Sequence, residues 1–309
     1  MLAILLKTLP FFAVIGLGYA AARRGFFNAE ATAYLTRFVF YFALSAMLFG
    51  FAANLSLTEI FSLPFVLAYL GATGLLWLIL FAVTLIRGVR AEEAVFEAHT
   101  GVTGNTGFLG IPMLAALLGP AAAAPVLLVL TVDMVVFSSI LTMAITGLRS
   151  GRVSLATVRI LAVGLLKNPM IVSIALGLIW GATGRQLWPP VQEFMTLLGA
   201  AATPCALFAI GASLVGRGGE RLGVAAWLSF AKLVLHPAFV AVAALWIFAV
   251  DPFAAGVMIA AAALPVAGNV FILAQHYNVA PQRVSTAILV STVLSILTVS
   301  AVISLVEVS

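Results

Sequence analysis

Ionisable side chains inside apolar stretches are rare in this chain, and they are the residues best suited to ion chemistry. Asp133 follows Ala121 in one such stretch, about 18 Å along a helix that rises about 1.5 Å per residue, which places its carboxylate near the middle of a membrane. A carboxylate at that depth is costly and is by default functional. Asp133 is therefore predicted either to carry a coupling proton or to pair with a nearby base.

Lys232 and His236 are the candidate bases. They are four residues apart in a second apolar stretch and therefore share one helix face. They are predicted to act with Asp133 in ion coupling or to attract an anion. The structural alternative, which the sequence favours, has Lys232 extending to the cytoplasmic surface and His236 marking a kink at Pro237.

A cluster of Glu92, Glu93, Glu97 and His99 has the residue types of a metal or acid–base site. Its spacing lacks the second histidine of an HExxH motif, and acidic residues at the start of a helix are favoured by the helix dipole. The single cysteine, Cys205, lies in an apolar stretch, so neither an internal disulfide nor a cysteine-based metal site is expected. We predict no metal site, no cofactor and no catalytic residues, so the chain is not expected to be an enzyme.

Two short runs rich in Gly, Pro and Asn interrupt apolar stretches: GNTGFLGIP from Gly104 to Pro112 and LPVAGN from Leu264 to Asn269. Relative to Ala, Gly costs about 1 kcal/mol and Pro about 3 kcal/mol inside a helix, so each helix is predicted to stop and restart. In hydrocarbon such breaks are tolerated only where protein or a water-filled cavity satisfies the backbone, although a simple packing kink is the alternative. The residues predicted to bind substrate at these breaks are Gly104, Asn105, Thr106, Pro265, Gly268 and Asn269.

The composition places these residues in a membrane protein. Hydrophobic residues make up 64% of the 309 residues, only 8% are charged, and the mean hydropathy is +1.22, which excludes a soluble globular chain. The net charge of +5 does not indicate nucleic-acid binding, because the basic residues are scattered singly or in pairs.

Ten apolar runs are each about long enough to cross the roughly 30 Å hydrocarbon core. We predict an all-α integral membrane protein with ten transmembrane helices in two inverted five-helix repeats, residues 1–148 and 168–309, joined by an interfacial linker at 149–167. The fourth and ninth helices are predicted to be discontinuous and to cross near the middle of the membrane. The predicted spans are approximately Leu2 to Ala22, Ala31 to Phe51, Leu63 to Leu85, Ala94 to Leu118, Ala121 to Leu148, Asn168 to Gly184, Trp188 to Val215, Val224 to Val250, Phe253 to Tyr277 and Val284 to Val306.

The basic residues between the spans predict orientation. With both termini outside, the outer connections hold only Arg185, whereas eleven basic residues are cytoplasmic, which is the expected bias in an inner (plasma) membrane. The first span is predicted to be retained, because its basic residues follow the apolar run. The eleven are Arg23, Arg24, Arg87, Arg90, Arg149, Arg152, Arg159, Lys167, Arg217, Arg221 and Arg283.

Three ordered segments resemble the auxin efflux carrier family: GNTGFLGIPML, KNPMIVSIALGLIW and ALPVAGNVFILAQHYN. The resemblance implies a ten-helix fold with a scaffold half and a mobile half, assembled as a dimer. It implies that Asn105 is the crossover asparagine, that Pro265 is the ninth-helix proline, and that Ser45 is a polar position facing the substrate. Gly104 stands where plant members have proline, and the third span lacks their charged pair. Small carboxylates such as malate or malonate, the substrates associated with bacterial members, are therefore expected rather than indole acetate.

The predicted function is a secondary carrier for small organic anions in the lipid bilayer, working by alternating access at the crossing. The alternative is a facilitative uniporter or a channel-like permease without ion coupling. Protons are the favoured coupling ion, and sodium is disfavoured because no carboxylate sits beside either break. No ATPase motif is present, so the energy is expected to come from gradients.

Overall fold

The computed structural model describes residues 2–55, 62–150, 155–216 and 222–306. Within these ranges the regular structure is helical, apart from one isolated β-bridge. Seven helices are long and apolar enough to cross a membrane, and a bent pair gives an eighth candidate. The prediction of an all-helical, multi-pass membrane protein is confirmed. Arg152, Arg217 and Arg221, used above for orientation, lie outside the described residues.

Thirteen helices are numbered here in chain order, with short π-helical or 3₁₀ turns included in the longer ones. They are α1 Leu2–Arg23, α2 Ala29–Ala53, α3 Leu63–Ile86, α4 Ala91–Val102, α5 Thr106–Leu118, α6 Pro120–Ser150, α7 Leu155–Lys167, α8 Pro169–Gly181, α9 Pro189–Ser213, α10 Leu222–Ile247, α11 Pro252–Ala262, α12 Gly268–Tyr277 and α13 Pro281–Val306.

Helix boundaries follow local sequence signals. The Asn28 side chain caps α2 by accepting the Ala31 N–H at 2.7 Å, and Asp251 caps α11 in the same way, immediately before a proline. Asn278 adopts a left-handed conformation (φ 54°) and ends α12. These caps fix where the apolar helices begin and end.

Both predicted interruptions are present. The first separates α4, which ends at Val102, from α5, which begins at Thr106. The second separates α11, which ends at Ala262, from α12, which begins at Gly268. Each half-helix is too short to cross a membrane alone, since the core needs about 20 residues of helix.

The described residues of the predicted linker, 149–150 and 155–167, are helical, and its residues 151–154 lie outside the described part of the chain. α6 extends to Ser150, and α7 covers Leu155–Lys167 and meets α8 at Asn168 with a bend of 73°. The Asn168 side chain caps α8 by accepting the Met170 N–H at 3.0 Å.

Glycines allow two pairs of long helices to approach closely. On α1, a side chain at Gly18 would collide with the backbone of Phe208 on α9, and one at Gly211 on α9 would collide with the backbone of Ile15. Gly177 on α8 is similarly close to the backbone of α2. In lipid the hydrophobic effect does not drive helices together, and close van der Waals packing at small residues does so instead. These contacts therefore hold α1 to α9 and α2 to α8.

Candidate functional site

The two helix breaks lie against each other and exchange backbone hydrogen bonds. The Asn105 N–H donates to the Pro265 carbonyl at 2.8 Å, and the Ala267 N–H donates to the Thr103 carbonyl at 3.1 Å. Gly104 and Val266 form an antiparallel bridge between these bonds. Backbone groups that the broken helices leave free are thus satisfied by the opposite break, as a crossing inside a membrane requires. We call residues 103–106 and 263–269 the crossing.

A side chain outside the two broken helices also supports the crossing. The Ser291 hydroxyl, fully buried on α13, accepts the Val266 N–H at 3.1 Å. The ends of four half-helices meet here: the carboxyl ends of α4 and α11, with partial negative charge, and the amino ends of α5 and α12, with partial positive charge. The crossing can therefore interact with negatively charged groups at the amino ends and with positively charged groups at the carboxyl ends of the half-helices.

Of the seven residues predicted to bind substrate, six lie in the crossing. Asn105 and Thr106 are buried with Gly104 and Pro265, whereas Gly268 is exposed and Asn269 is half-buried. The Asn269 Oδ1 atom is buried and has no hydrogen-bond partner. An unpaired buried amide oxygen is costly unless a ligand or water bonds it.

Ser45 lies apart from these six, on α2. Its hydroxyl donates to the Phe40 carbonyl of the same helix at 3.0 Å, just after a π-helical turn. Phe40 stacks on Phe108 of α5 with ring centroids 6.4 Å apart. The Ser45 hydroxyl is therefore bonded within α2, and the contact between this part of α2 and the first broken helix is made by the Phe40 ring.

The prediction that Lys232 extends to the cytoplasmic surface is wrong. Lys232 is 0% exposed, and its ammonium donates to the Ala262 carbonyl at the end of α11. A Cβ atom added to Gly104 would lie 3.2 Å from Nζ, so the ammonium also lies against the first break. The carboxyl end of a half-helix supplies the negative partial charge that a buried ammonium needs, and this acceptor exists only because α11 is broken.

Asp133 is buried on α6, and its Oδ1 atom accepts a hydrogen bond from the Tyr69 hydroxyl at 2.8 Å. Its Oδ2 atom has no hydrogen-bond partner among the described residues. The Thr106 hydroxyl and the Lys232 ammonium are both near enough to interact with the carboxylate, although Lys232 forms no direct ion pair with it. The carboxylate and the ammonium are therefore neighbours without direct contact.

His236 connects the lysine to α3. Its Nδ1 atom lies 3.2 Å from Lys232 Nζ, and its Nε2 atom lies 3.0 Å from the Thr73 hydroxyl. The imidazole is also 5.9 Å from the Tyr69 ring, measured between centroids. The structure thus brings together the three residues predicted for ion coupling and adds Tyr69 and Thr73, which the sequence reasoning missed. The sequence feature that could have identified these two residues is a pair of polar side chains four residues apart in an apolar span.

Three residues of this cluster sit on π-helical turns. Thr106 begins one such turn, Asp133 begins a second, and Lys232 lies in a third. A π-helical turn alters the direction of the following side chains and is frequent at functional sites. The irregular geometry therefore coincides with the polar residues of the interior.

Glu92 and Glu93 lie in the first turn of α4, as the helix-dipole interpretation predicted, but Glu97 does not. Glu97 is buried in the protein interior. Its carboxylate accepts hydrogen bonds from Arg87 and Arg283 at 2.6 Å each and from the Thr84 hydroxyl at 3.0 Å. His99 is buried, and neither ring nitrogen has a partner. The prediction missed the two arginines because they belong to other helices. Among the described residues, no three metal-ligating side chains group together.

Comparison with known proteins places this geometry in context. Residues 3–303 match the family described as membrane transport protein. A relative from Rhizobium meliloti (strain 1021), named "Putative malonate transporter", is 32% identical over 305 residues, which cover 97% of this chain and 94% of the relative. The matched range of the family model spans both breaks and the buried cluster.

Proposed function

The chain belongs to the membrane transport protein family, to which the auxin efflux carriers belong, and we propose that it is a secondary carrier for small organic anions with its substrate site at the crossing. It is a membrane transporter and not an enzyme. The observation that carries the proposal is the buried Lys232 ammonium beside Gly104, at the point where two broken helices meet.

The chemistry of the crossing suits a carboxylate. The Lys232 ammonium supplies a full positive charge, and the amino ends of α5 and α12 add partial positive charge and free N–H groups. The unpartnered amide of Asn269 can orient a bound carboxylate or its attached carbon chain. Malonate, which the name of the relative mentions, is the first candidate substrate.

The helix packing supports two inverted repeats of five spans. Counted in order, with α4–α5 and α11–α12 each taken as one span, α1 and α9 are spans one and seven, and α2 and α8 are spans two and six. An inverted repeat relates span one to span six and span two to span seven, so it exchanges the two glycine-mediated contacts. These four helices form the proposed scaffold, and the helices around the crossing form the proposed mobile part.

Coupling to protons is proposed through Asp133. The positive charge of Lys232 is opposed by the carboxylate of Asp133, so an anion meets a neutral site unless Asp133 is protonated. Protonation removes the opposing negative charge and lets the ammonium pair with the substrate. One proton would then accompany each carboxylate that binds. Sodium has a poorer set of ligands, because the carboxylate bonds to Tyr69.

We also propose that the protein lies in the inner membrane with both termini outside and that it assembles as a homodimer. The runner-up function is a facilitative uniporter or channel-like permease without ion coupling. A channel-like permease neither saturates at low substrate concentration nor exchanges substrate by counterflow. A facilitative uniporter does both, but a proton gradient does not drive its uptake.

The test uses purified protein in liposomes and radiolabelled malonate. A carrier gives saturable uptake and counterflow, and malonamide, the neutral diamide, competes much more weakly than malonate because it cannot pair with the ammonium. Asp133→Asn is expected to retain counterflow and lose uptake driven by an inward proton gradient. Uptake that is linear with concentration, or equal competition by acid and amide, would contradict the proposal.

A further inference from the structure

Three buried polar side chains, His236, Thr73 and Tyr69, lie between Lys232 and Asp133. Lys232 Nζ lies 3.2 Å from His236 Nδ1, and His236 Nε2 lies 3.0 Å from the Thr73 hydroxyl. Thr73 follows Tyr69 by one turn on the same face of α3, and the Tyr69 hydroxyl donates to Asp133 Oδ1 at 2.8 Å. Every member is buried, so water does not compete for these bonds.

The chemistry of the groups assigns one direction to all these hydrogen bonds. An ammonium can only donate, so His236 Nδ1 is the acceptor, and the neutral ring then carries its proton on Nε2. That proton is donated to Thr73, whose own proton is free to point at the Tyr69 oxygen. Tyr69 donates in turn to the carboxylate. The donors therefore point the same way from one end to the other.

We propose that these five residues form a proton-transfer chain in which a proton moves between the Lys232 ammonium and the Asp133 carboxylate. Lys232 gives a proton to His236 Nδ1, and His236 gives its Nε2 proton to Thr73. Thr73 gives its proton to Tyr69, and Tyr69 gives its proton to Asp133. The three middle residues keep their proton count, while an ammonium becomes an amine and a carboxylate becomes a carboxylic acid.

The second state of the chain also has partners. After transfer, His236 carries its proton on Nδ1, and the Ala262 carbonyl that accepted from Lys232 is near enough to accept from the imidazole instead. Neutral groups at both ends avoid the cost of burying two separated charges. The arrangement thus provides hydrogen-bond acceptors for the charged and the neutral form alike.

The transfer gives the proposed carrier a means of linking substrate to proton, an inference that rests on the proposed anion site. An anion that binds beside Gly104 favours the ammonium and draws the proton back along the chain to Lys232. Asp133 is then left as a carboxylate and takes a proton from the side of the membrane to which the carrier is open in that step of alternating access. The ionisable groups described around this path are the members themselves: Asp133, Tyr69, His236 and Lys232.

The experiment separates net transport from exchange in liposomes. Thr73→Val removes the middle hydroxyl without touching either end of the chain, and Tyr69→Phe is a second variant should the first fail to fold. During counterflow only the loaded carrier crosses the membrane, so Lys232 can stay an ammonium between release and rebinding, and no transfer along the chain is required. We expect uptake driven by a proton gradient to fall by about tenfold or more in Thr73→Val, in keeping with the effect of positioned proton-transfer groups. Malonate counterflow should be unchanged.

Two controls distinguish a relay from a structural role. Thr73→Ser restores the hydroxyl and should restore gradient-driven uptake. Thr142→Val removes a hydroxyl that bonds only to the Ser138 carbonyl of its own helix and should change neither measurement. Gradient-driven uptake in Thr73→Val equal to that of the wild type, or parallel loss of both activities in folded protein, would overturn the relay. Absence of counterflow in the wild type would instead contradict the proposed function.

Discussion

Glu97 and Arg283 form an ion pair of 2.6 Å in which the side chains are only 2% and 9% exposed. The pair joins α4, the first half of a broken helix, to the start of α13. Arg87, at the end of α3, bonds to the second carboxylate oxygen at 2.6 Å. One buried carboxylate therefore ties three helices together near the middle of α4.

We predict that Glu97→Gln destabilises the protein strongly. The substitution keeps the side-chain shape but removes the buried carboxylate that Arg87 and Arg283 share, so that Arg283 keeps only the more exposed Glu93, at 3.0 Å, as a negative partner. Breaking a buried pair costs up to about 3–5 kcal/mol. The measurement is the thermal unfolding midpoint of purified protein in detergent. Glu92→Gln is the control, because Glu92 bonds to the exposed Arg149 and such pairs contribute little. Equal midpoints for the two variants would contradict the prediction.

Gly104→Ala is predicted to weaken anion binding without unfolding the protein. The new Cβ would lie 3.2 Å from both Cε and Nζ of Lys232, so the ammonium must move by a few tenths of an ångström. Malonate affinity, measured by the ligand-induced rise in unfolding temperature, should fall several-fold. Gly50→Ala is the control, because a Cβ there has no heavy atom within 4 Å. Unchanged affinity in Gly104→Ala would show that the ammonium does not contact the substrate.

Asn105→Ala and Asn269→Ala are each predicted to abolish saturable transport while leaving folded protein. Both side chains lie at the crossing, and the Asn105 backbone bond to Pro265 does not depend on the side chain. Uptake of labelled malonate by liposomes is the measurement, with yield and unfolding temperature as the check on folding. Normal transport by both variants would remove these amides from the site.

Gly18→Ala is predicted to lower thermal stability, whereas Gly16→Ala on the same helix is not. A methyl group at Gly18 meets the backbone of Phe208, which cannot move away as a side-chain tip could, whereas Gly16 faces open space. The two variants have the same change in helix propensity, so their difference in unfolding temperature isolates the contact between α1 and α9. Equal stability would show that the two helices do not depend on this close approach.

The helix breaks could be predicted because their signals are local. Gly, Pro and Asn within an apolar run disfavour a continuous helix whatever surrounds them, and Asp133 stood out by its depth alone. The partners of these residues could not be predicted in the same way. Tyr69 and Thr73 acquire their roles from α6 and α10, and Lys232 is satisfied by a carbonyl that the break after Ala262 exposes. Sequence spacing describes one helix at a time, whereas these contacts depend on how helices pack.

The hydrogen bonds of the crossing also set an order of events while the protein is being made. Asn105 and Pro265 lie in opposite halves of the chain, and the Thr103 carbonyl needs Ala267 in the same way. When the ribosome has delivered only the first half to the membrane, the backbone at the first break has no partner, and each such group in hydrocarbon costs several kcal/mol. The newly inserted first half therefore stays incompletely folded until the second break enters the bilayer.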